Sequence, residues 1–416
     1  MSDKRVEILV VALAALMAPV AQAQQRWALD AVKIYPAPDV PAVSGQVVIA
    51  GAKIESVTPA SGKRAMAAPA APQCNGGVLV AGFQNSHVHF TGEEFQGAGD
   101  QTAEKLESAL TQMVTRYGYT TVFDIASERD NTLAIRRRIE SAEVRGPRIL
   151  MVGWALFPPH GLPVYISHMP RELLDNLPQP ESVDEALRVV RGNLAAGADG
   201  TKLFIGTPQA DNSVKRIPAD IASAAVNETH RHGKLAFAHP TDIQGVRESL
   251  EAHVDILAHP PLDAPAPWPE SLMKQVRDAG MSMIPTLKLL EFEMRKQHVP
   301  APAAERVLNE HVREVGKFAA TGGEVLFGTD VGYMTDYDPT REYELMAQAG
   351  LTPMQILASL TTTPAARWKE QDRRGRIAAG LNADLVVLDA DPAESPRNFA
   401  AVRCVIRGGD IIYRRQ

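Results

Sequence analysis

Eight apolar stretches of strand length alternate with amphipathic helical stretches between residues 77 and 370, and this repeat limits the fold most. The predicted strands are residues 78–83, 120–125, 148–154, 201–205, 235–238, 255–258, 282–285 and 324–327, and helices are predicted at residues 103–117, 131–144, 183–196, 219–232 and 303–320. Strict alternation favours a parallel sheet, whose strands are buried on both faces. Eight units predict an α/β fold of the (β/α)8 TIM-barrel type. A doubly wound sheet is the alternative, but no glycine-rich dinucleotide motif follows the first strand.

Short β-like segments lie on both sides of this repeat. They are residues 27–34, 46–49 and 53–57 before it, and 383–389, 402–406 and 411–413 after it. We therefore expect the two chain ends to meet in one small β-sandwich domain, formed by residues 24–76 and 371–416, beside a barrel of residues 77–370. An Ala/Pro-rich segment at residues 65–72 is the expected connector.

The first residues have the pattern of a secretory signal peptide. Lys4 and Arg5 precede an apolar run at residues 6–20, and an A-x-A cleavage site follows at residues 21–23. The run is shorter than the ~20 residues that a membrane-spanning helix needs. The expectation is a signal peptide at residues 1–23, a mature chain that begins at Gln24, and a periplasmic or secreted protein without a membrane anchor.

Composition narrows the class of partner. The net charge of -6 and the lack of basic runs interleaved with aromatic residues give no reason to expect nucleic acid. A small-molecule substrate is expected, and a homo-oligomer stays open. The two cysteines, Cys74 and Cys404, are far apart in the sequence. Two cysteines so far apart are more often free, buried thiols than a disulfide. An exported protein could oxidise them, so their pairing stays open.

Five of the eight predicted strands carry a ligand-type side chain within them or directly after them. In a TIM barrel the reactive groups lie at the carboxyl ends of the strands. Two histidines at i and i+2 on a strand point to the same side, and imidazole and carboxylate are the usual ligands of zinc and similar ions. The candidates are His87, His89, Lys202, His239, His259 and Asp330. The other histidines at positions 230, 232, 253, 298 and 311 fall in predicted helices and are given structural roles, and His168 is left unassigned.

Two local motifs resemble the amidohydrolase superfamily, in particular its imidazolonepropionase-like and prolidase-like branch. AGFQNSHVHF at residues 81–90 is similar to the family's PG-x-x-D-x-H-x-H opening. GRI at residues 375–377 followed by GLNADL at residues 380–385 is similar to its G-x-I-x-x-G-x-x-A-D-L closing. The spacing from His239 to His259 also matches the family, and the resemblance covers nearly the whole mature chain.

The resemblance implies a role for each candidate. His87 and His89 would hold a first metal together with Asp330, and His239 and His259 would hold a second. Lys202 would be carboxylated by CO2 and would bridge two divalent ions, with zinc expected. A metal-bridged hydroxide would attack the substrate carbonyl, with Asp330 as the general base that later protonates the leaving nitrogen.

The expected reaction is hydrolysis of the amide bond in a small N-acyl amino acid, dipeptide-like or amide substrate. The enzymatic alternative is a deaminase or cyclic-amide hydrolase, although a single-metal deaminase needs no carboxylated Lys202. From another class, the chain could be an inactive periplasmic metal- or solute-binding protein, which would not need a base at Asp330.

The sequence departs from the family around the substrate rather than at the metal ligands. His239-Pro240-Thr241 and Ala258-His259-Pro260 replace the usual H-A-H-G and E-H-G runs, and FPPHGLP at residues 157–163 stands where T-G-G-H is common. His160 and Tyr165 are the candidate substrate contacts, and the loop at residues 157–170 is expected to set substrate choice.

Overall fold

The computed structural model describes residues 26–60, 69, 73–167, 169–262 and 267–416. The predicted signal peptide, most of the Ala/Pro-rich connector and His168 lie outside the described residues. In the part that is described, no helix has the length and apolar character needed to cross a membrane.

Strands occupy both chain ends and alternate with helices between them. In chain order the strands are β1 (Arg26–Ile34), β2 (Val43–Ala50), β3 (Lys53–Pro59), β4 (Val78–Ala81), β5 (Phe83–Val88), β6 (Tyr119–Asp124), β7 (Arg148–Met151), β8 (Gly200–Phe204), β9 (Gly206–Pro208), β10 (Val214–Arg216), β11 (Leu235–His239), β12 (Ile256–Leu257), β13 (Ser282–Met283), β14 (Leu385–Leu388), β15 (Val402–Arg407) and β16 (Asp410–Arg414).

The helices lie between the strands of the central repeat and after it. They are α1 (Ala103–Met113), α2 (Arg129–Glu140), α3 (Arg171–Leu174), α4 (Val183–Ala195), α5 (Ala219–Arg231), α6 (Ile243–Glu251), α7 (Glu270–Asp278), α8 (Leu287–Lys296), α9 (Ala301–Ala320), α10 (Thr340–Gln348), α11 (Pro353–Leu360) and α12 (Thr362–Arg367). The five predicted helices are confirmed as α1, α2, α4, α5 and α9. His253 and His298, which were expected inside helices, lie in the turns after α6 and α8.

The central strands form two parallel sheets with the orders β5-β6-β7 and β8-β11-β12-β13. A parallel bridge between Leu156 and Leu203 connects the β7 segment to β8. On the other side, residues 324–331 make parallel bridges to Met283 of β13 and to Val88 of β5. This α/β arrangement is TIM-barrel-like, and it sets the carboxyl ends of all these strands at one edge.

The predicted first strand at residues 78–83 is wrong, because the chain changes sheets within it. Val78–Ala81 is β4, which pairs with β1 and β14, and the first strand of the central repeat is Phe83–Val88. Gly82 lies between them, where a Cβ atom would be only 2.2 Å from Thr120 Oγ1. The sheet formed by the chain ends therefore extends past the expected boundary at residue 76. The eighth predicted strand is present only as the bridge at Val325.

Both chain ends join one seven-stranded sheet with the order β16-β15-β14-β4-β1-β2-β3, rather than the two sheets of a sandwich. Alternate side chains on its strands face opposite sides. One side, with Leu79, Leu385 and Ile406, forms a core of its own, whereas Val80 and Val386 belong to the core of the central repeat. The sheet is therefore attached to the central repeat by an apolar face.

Cys74 and Cys404 form a disulfide, which answers the question of pairing that the sequence leaves open. Cys74 lies just before β4, and Cys404 lies on β15, which is separated from β4 only by β14. Arg403 also donates a hydrogen bond to the Asn75 carbonyl oxygen (2.6 Å). Strand pairing thus brings together two residues that are 330 positions apart.

We expect reduction of this disulfide to lower the free energy of unfolding by about 2–4 kcal/mol, because a cross-link removes freedom from the unfolded chain. Urea unfolding with and without reductant measures this loss. The Cys74→Ser/Cys404→Ser double variant is the control, since the chain has only two cysteines and the reductant then has no target. Titration of two free thiols in the denatured wild-type protein would contradict the pairing.

Candidate metal centre

His87 and His89 lie at the carboxyl end of β5 with their Nε2 atoms 3.2 Å apart. His87 is 1% exposed, and its backbone N–H donates to Asn85 Oδ1 (3.1 Å). His89 Nδ1 lies 3.0 Å from the Ala126 carbonyl oxygen. A carbonyl only accepts hydrogen bonds, so His89 carries its proton on Nδ1 and its Nε2 presents a lone pair.

Asp330 brings a carboxylate to the same point. Its Oδ1 is 2.9 Å from His89 Nε2 and 3.4 Å from His87 Nε2, and its Oδ2 is 3.6 Å from His259 Nε2. The residue adopts a left-handed φ of 60°, a strained conformation that Asp tolerates better than most residues. Its backbone N–H donates to the His87 carbonyl oxygen (2.9 Å), which fixes the carboxylate against β5.

These three side chains fit a divalent cation. Their ligand atoms all lie within 4.8 Å of one another. Asp330 Oδ1 is buried and accepts no hydrogen bond of acceptable geometry despite its two histidine neighbours. Converging imidazole nitrogen and carboxylate oxygen atoms are the donor set of a zinc-type site.

His239 and His259 form a second pair beside the first. His239 ends β11 and His259 lies two residues beyond β12, with their ring centroids 4.8 Å apart. His259 is also 4.8 Å from the His87 ring. His259 Nδ1 contacts Thr286 Oγ1 at 2.7 Å, and Thr286 has a left-handed φ of 44° where the chain enters α8. This contact fixes the orientation of the His259 ring.

Lys202 lies on β8, the strand that pairs with β11 of His239, and is 1% exposed. It is adjacent to Phe237 in the β8–β11 register, and its Nζ is 5.4 Å from the centroid of the Phe204 ring. Burial lowers the pKa of Lys202 to about 7, although Asp330 opposes the shift. A substantial share of this amine is therefore uncharged at neutral pH.

The protonation states at neutral pH also suit metal binding. Burial lowers the pKa of His87 to about 4 and that of His239 to about 3, and it lowers the pKa of His259 well below its ordinary value. Burial alone would raise the pKa of Asp330, but His87 and His89 outweigh it and the pKa lies well below the ordinary value. Neutral imidazoles and an ionised carboxylate are the ligand forms of these residues.

A cavity of about 430 Å³ opens directly onto Lys202, His239, His259 and Asp330. Tyr165, predicted as a substrate contact, lines it, with its ring centroid 6.3 Å from that of His239. Burial raises the pKa of Tyr165 above its ordinary value, so its hydroxyl stays protonated. The structure thus brings together all six predicted ligands and Tyr165.

The structure does not bring His160 to the site. Its side chain is 78% exposed, and its Nε2 lies 3.0 Å from Glu181. Lys215 donates to its carbonyl oxygen (2.5 Å), which holds this part of the loop against β10 rather than over the cavity. The prediction of a substrate contact at His160 has no support in its position.

Several site residues escaped the sequence analysis. Phe204 stacks on His239 with ring centroids 5.0 Å apart, and it is two residues from Lys202 on the same strand, a spacing that could have revealed it. Tyr333 follows Asp330 by three residues, and its hydroxyl donates to Glu293 Oε1 (2.7 Å). Glu293 and Thr286 belong to no motif in the sequence. They come near the site only because the chain enters α8 beside it.

Comparison with known proteins agrees with this geometry. The model of the amidohydrolase family matches residues 78–412. A structure of a Xaa-Pro dipeptidase with methionine bound in its active site is similar, with 21% identity, a TM-score of 0.78, and coverage of 94% of this chain and 100% of that chain. No curated protein sequence matches the chain.

Two further solved structures share the fold. A prolidase complexed with N-methylphosphonate-L-proline has 22% identity and a TM-score of 0.73, with 94% of this chain and 100% of that chain covered. The ochratoxinase of A. niger has 17% identity and a TM-score of 0.76, with 93% and 95% covered. The extent of the family match and the metal-type cluster of His87, His89 and Asp330 lead to one conclusion. The chain belongs to the amidohydrolase family and is a metal-dependent hydrolase that acts on carbon–nitrogen bonds.

Proposed function

We propose that the protein hydrolyses the amide bond of a small substrate at a centre for two divalent ions, with zinc the expected metal. His87, His89 and Asp330 would hold one ion, His239 and His259 would hold the other, and carboxylated Lys202 would bridge the two. The observation that carries this proposal is the placement of Asp330 between the two histidine pairs, with one carboxylate oxygen 2.9 Å from His89 and the other 3.6 Å from His259.

Carboxylation of Lys202 would supply the anionic ligand that the second pair lacks. Among the described residues that line the cavity, the other carboxylates are engaged elsewhere. Asp242 accepts from the backbone of α6 and pairs with Arg216, and Glu293 accepts from Tyr333. The uncharged Lys202 amine can attack the carbon of CO2, forming an N–C bond and releasing one proton. The product is a carbamate, whose single negative charge is shared by two oxygen atoms.

Separate groups around the substrate carbonyl would polarise it, transfer the proton and donate a hydrogen bond to it. Bound divalent ions would polarise the substrate carbonyl and lower the pKa of water. Asp330 is ionised, buried and unpartnered at Oδ1, so it can accept a proton from the attacking water and pass it to the leaving nitrogen. The neutral hydroxyl of Tyr165 at the cavity wall can donate to a carbonyl oxygen.

We also propose export, with cleavage after Ala23. The charged start, the apolar run and the A-x-A site suggest it, and the Cys74–Cys404 disulfide supports it, because disulfides persist in oxidising compartments.

The first prediction from this proposal concerns Asp330. The Asp330→Asn variant should lose ~10²–10⁴-fold in kcat, because an amide cannot accept the proton that a general base must take. Asp336→Asn is the matched control, since Asp336 follows on the same loop but is half-exposed and pairs with Lys288. Metal content is measured on the same samples. A rate within a few-fold of wild type with both ions bound would place the base elsewhere.

The second prediction concerns Lys202. Elemental analysis of wild-type protein prepared without chelators should approach two divalent ions per chain, and the carbamate carbon should give a resonance in ¹³C NMR after incubation with labelled CO2. Lys202→Ala should lose that resonance, one ion and most of the activity. Short carboxylic acids should restore part of the activity by placing an anion in the vacated space. One ion per chain at full wild-type activity would overturn the two-metal proposal.

The third prediction concerns export. Protein recovered from the periplasm or medium should begin at Gln24, as determined by N-terminal sequencing. Ala23→Asp should retain the longer form, because the cleavage site requires small residues. Recovery of soluble cytosolic protein that begins at Met1 would count decisively against export.

A further inference from the structure

A second, smaller cavity of about 120 Å³ lies beside His89 and adjoins the main one. The two cavities share the side chains of Tyr165, Phe204 and Tyr333. We call the smaller cavity the side compartment. Its further walls include the side chains of Trp154, Phe157, Ile166, Met169, Leu173 and Leu177. The metal-type cluster therefore faces two cavities rather than one.

The described walls of the side compartment offer almost no polar group to a ligand. The Thr91 hydroxyl donates to the Gly332 carbonyl oxygen, and the Ser127 hydroxyl donates to Asp124. The charged side chain at the wall is that of Glu128, an exposed residue whose carboxylate repels anions. Burial of an unpaired charge in such surroundings is costly. The side compartment therefore favours an uncharged apolar group.

The volume limits the size of that group. An engineered apolar protein cavity of ~150 Å³ accepts benzene, so about 120 Å³ suits a phenyl ring or a short alkyl chain. The wall beside Phe157 is rigid, because its ring stacks on Phe204 with centroids 4.3 Å apart. Longer chains would have to displace this pair or the 171–177 segment.

The position of Asp330 distinguishes the two sides of the scissile bond. Asp330 lines the main cavity but is not part of the wall of the side compartment. A group that passes a proton to the leaving nitrogen must lie within hydrogen-bonding distance of it. The leaving amine therefore belongs in the main cavity, and the acyl group lies on the other side of the carbonyl, beside His89.

We propose that the side compartment binds the acyl group of the substrate, and that this group is uncharged, apolar and about the size of a phenyl ring or a short alkyl chain. The inference rests on the proposed amide hydrolysis and narrows it to one substrate class.

Straight-chain acyl hydroxamates from acetyl to decanoyl test the inference, because they carry the acyl group on an uncharged amide-like head. Dissociation constants for the metal-containing protein are measured by calorimetry, which needs no turnover. Affinity should rise about fourfold for each methylene that enters the side compartment. It should level off or fall beyond about hexanoyl. A terminal carboxylate on the chain should weaken binding relative to the uncharged chain of equal length.

Two variants that change the volume of the side compartment in opposite directions test whether the dependence on chain length arises there. Leu173→Trp fills the side compartment, so affinity should stop rising at a shorter acyl chain than in the wild type. Ile166→Ala enlarges the side compartment, so affinity should continue to rise up to a longer chain. Leu174→Trp is the matched control, because Leu174 is the next residue on α3, is equally half-buried and does not line the side compartment. It should give the wild-type profile, and circular dichroism checks that all variants fold.

The outcomes separate the two proposals. Affinity that is independent of chain length, a profile shared by all variants, preference for the carboxylated chain, or no hydroxamate binding would each overturn the inference. Length-dependent binding that shifts with the variants supports it. If such binding is found but anilides of the same acyl groups are not hydrolysed, the inference that the side compartment binds the acyl group is upheld and the proposed amide hydrolysis is contradicted.

Discussion

The buried negative charge of Asp330 is the constraint on which the site depends. An unpaired ion in the interior costs several kcal/mol, so its surroundings must offset it. The nearest nitrogen atoms belong to His87 and His89 at the end of β5 and to His259 beyond β12. The parallel strands set the carboxyl ends of distant segments at one edge, and this brings the side chains around the charge together. A divalent cation held by these side chains would offset the charge.

The neighbours of the ligands hold them at fixed angles. The Ala126 carbonyl orients His89 and the Thr286 hydroxyl orients His259, and such partners fix both ring orientation and tautomer. After Asp330 the chain passes so close to β5 that a Cβ atom at Gly332 would lie 1.7 Å from the His89 carbonyl oxygen. Glycine there, with a φ of 98°, lets the loop carry both Asp330 and Tyr333 into the site.

The candidate ligands could be predicted from the sequence because each lies in or directly after a segment of strand character. Alternate side chains of a strand share a side, so the spacing also shows which of them point the same way. The first strand was misplaced because the apolar run continues across Gly82, and hydropathy does not reveal a change of sheet. His160 was misjudged because an irregular loop has no period that separates inward from outward side chains. The side compartment and the Cys74–Cys404 pair depend on contacts between distant segments, which local patterns do not encode.

The disulfide has a topological consequence. It joins Cys74 to Cys404, and every candidate ligand from His87 to Asp330 lies between these two positions. The bond therefore converts the metal-binding part of the chain into a covalent ring. A single cut in any surface loop of this ring opens it without releasing a fragment, and the two new ends remain tethered through the seven-stranded sheet. One proteolytic cleavage in this ring would therefore nick the molecule without separating its candidate ligands.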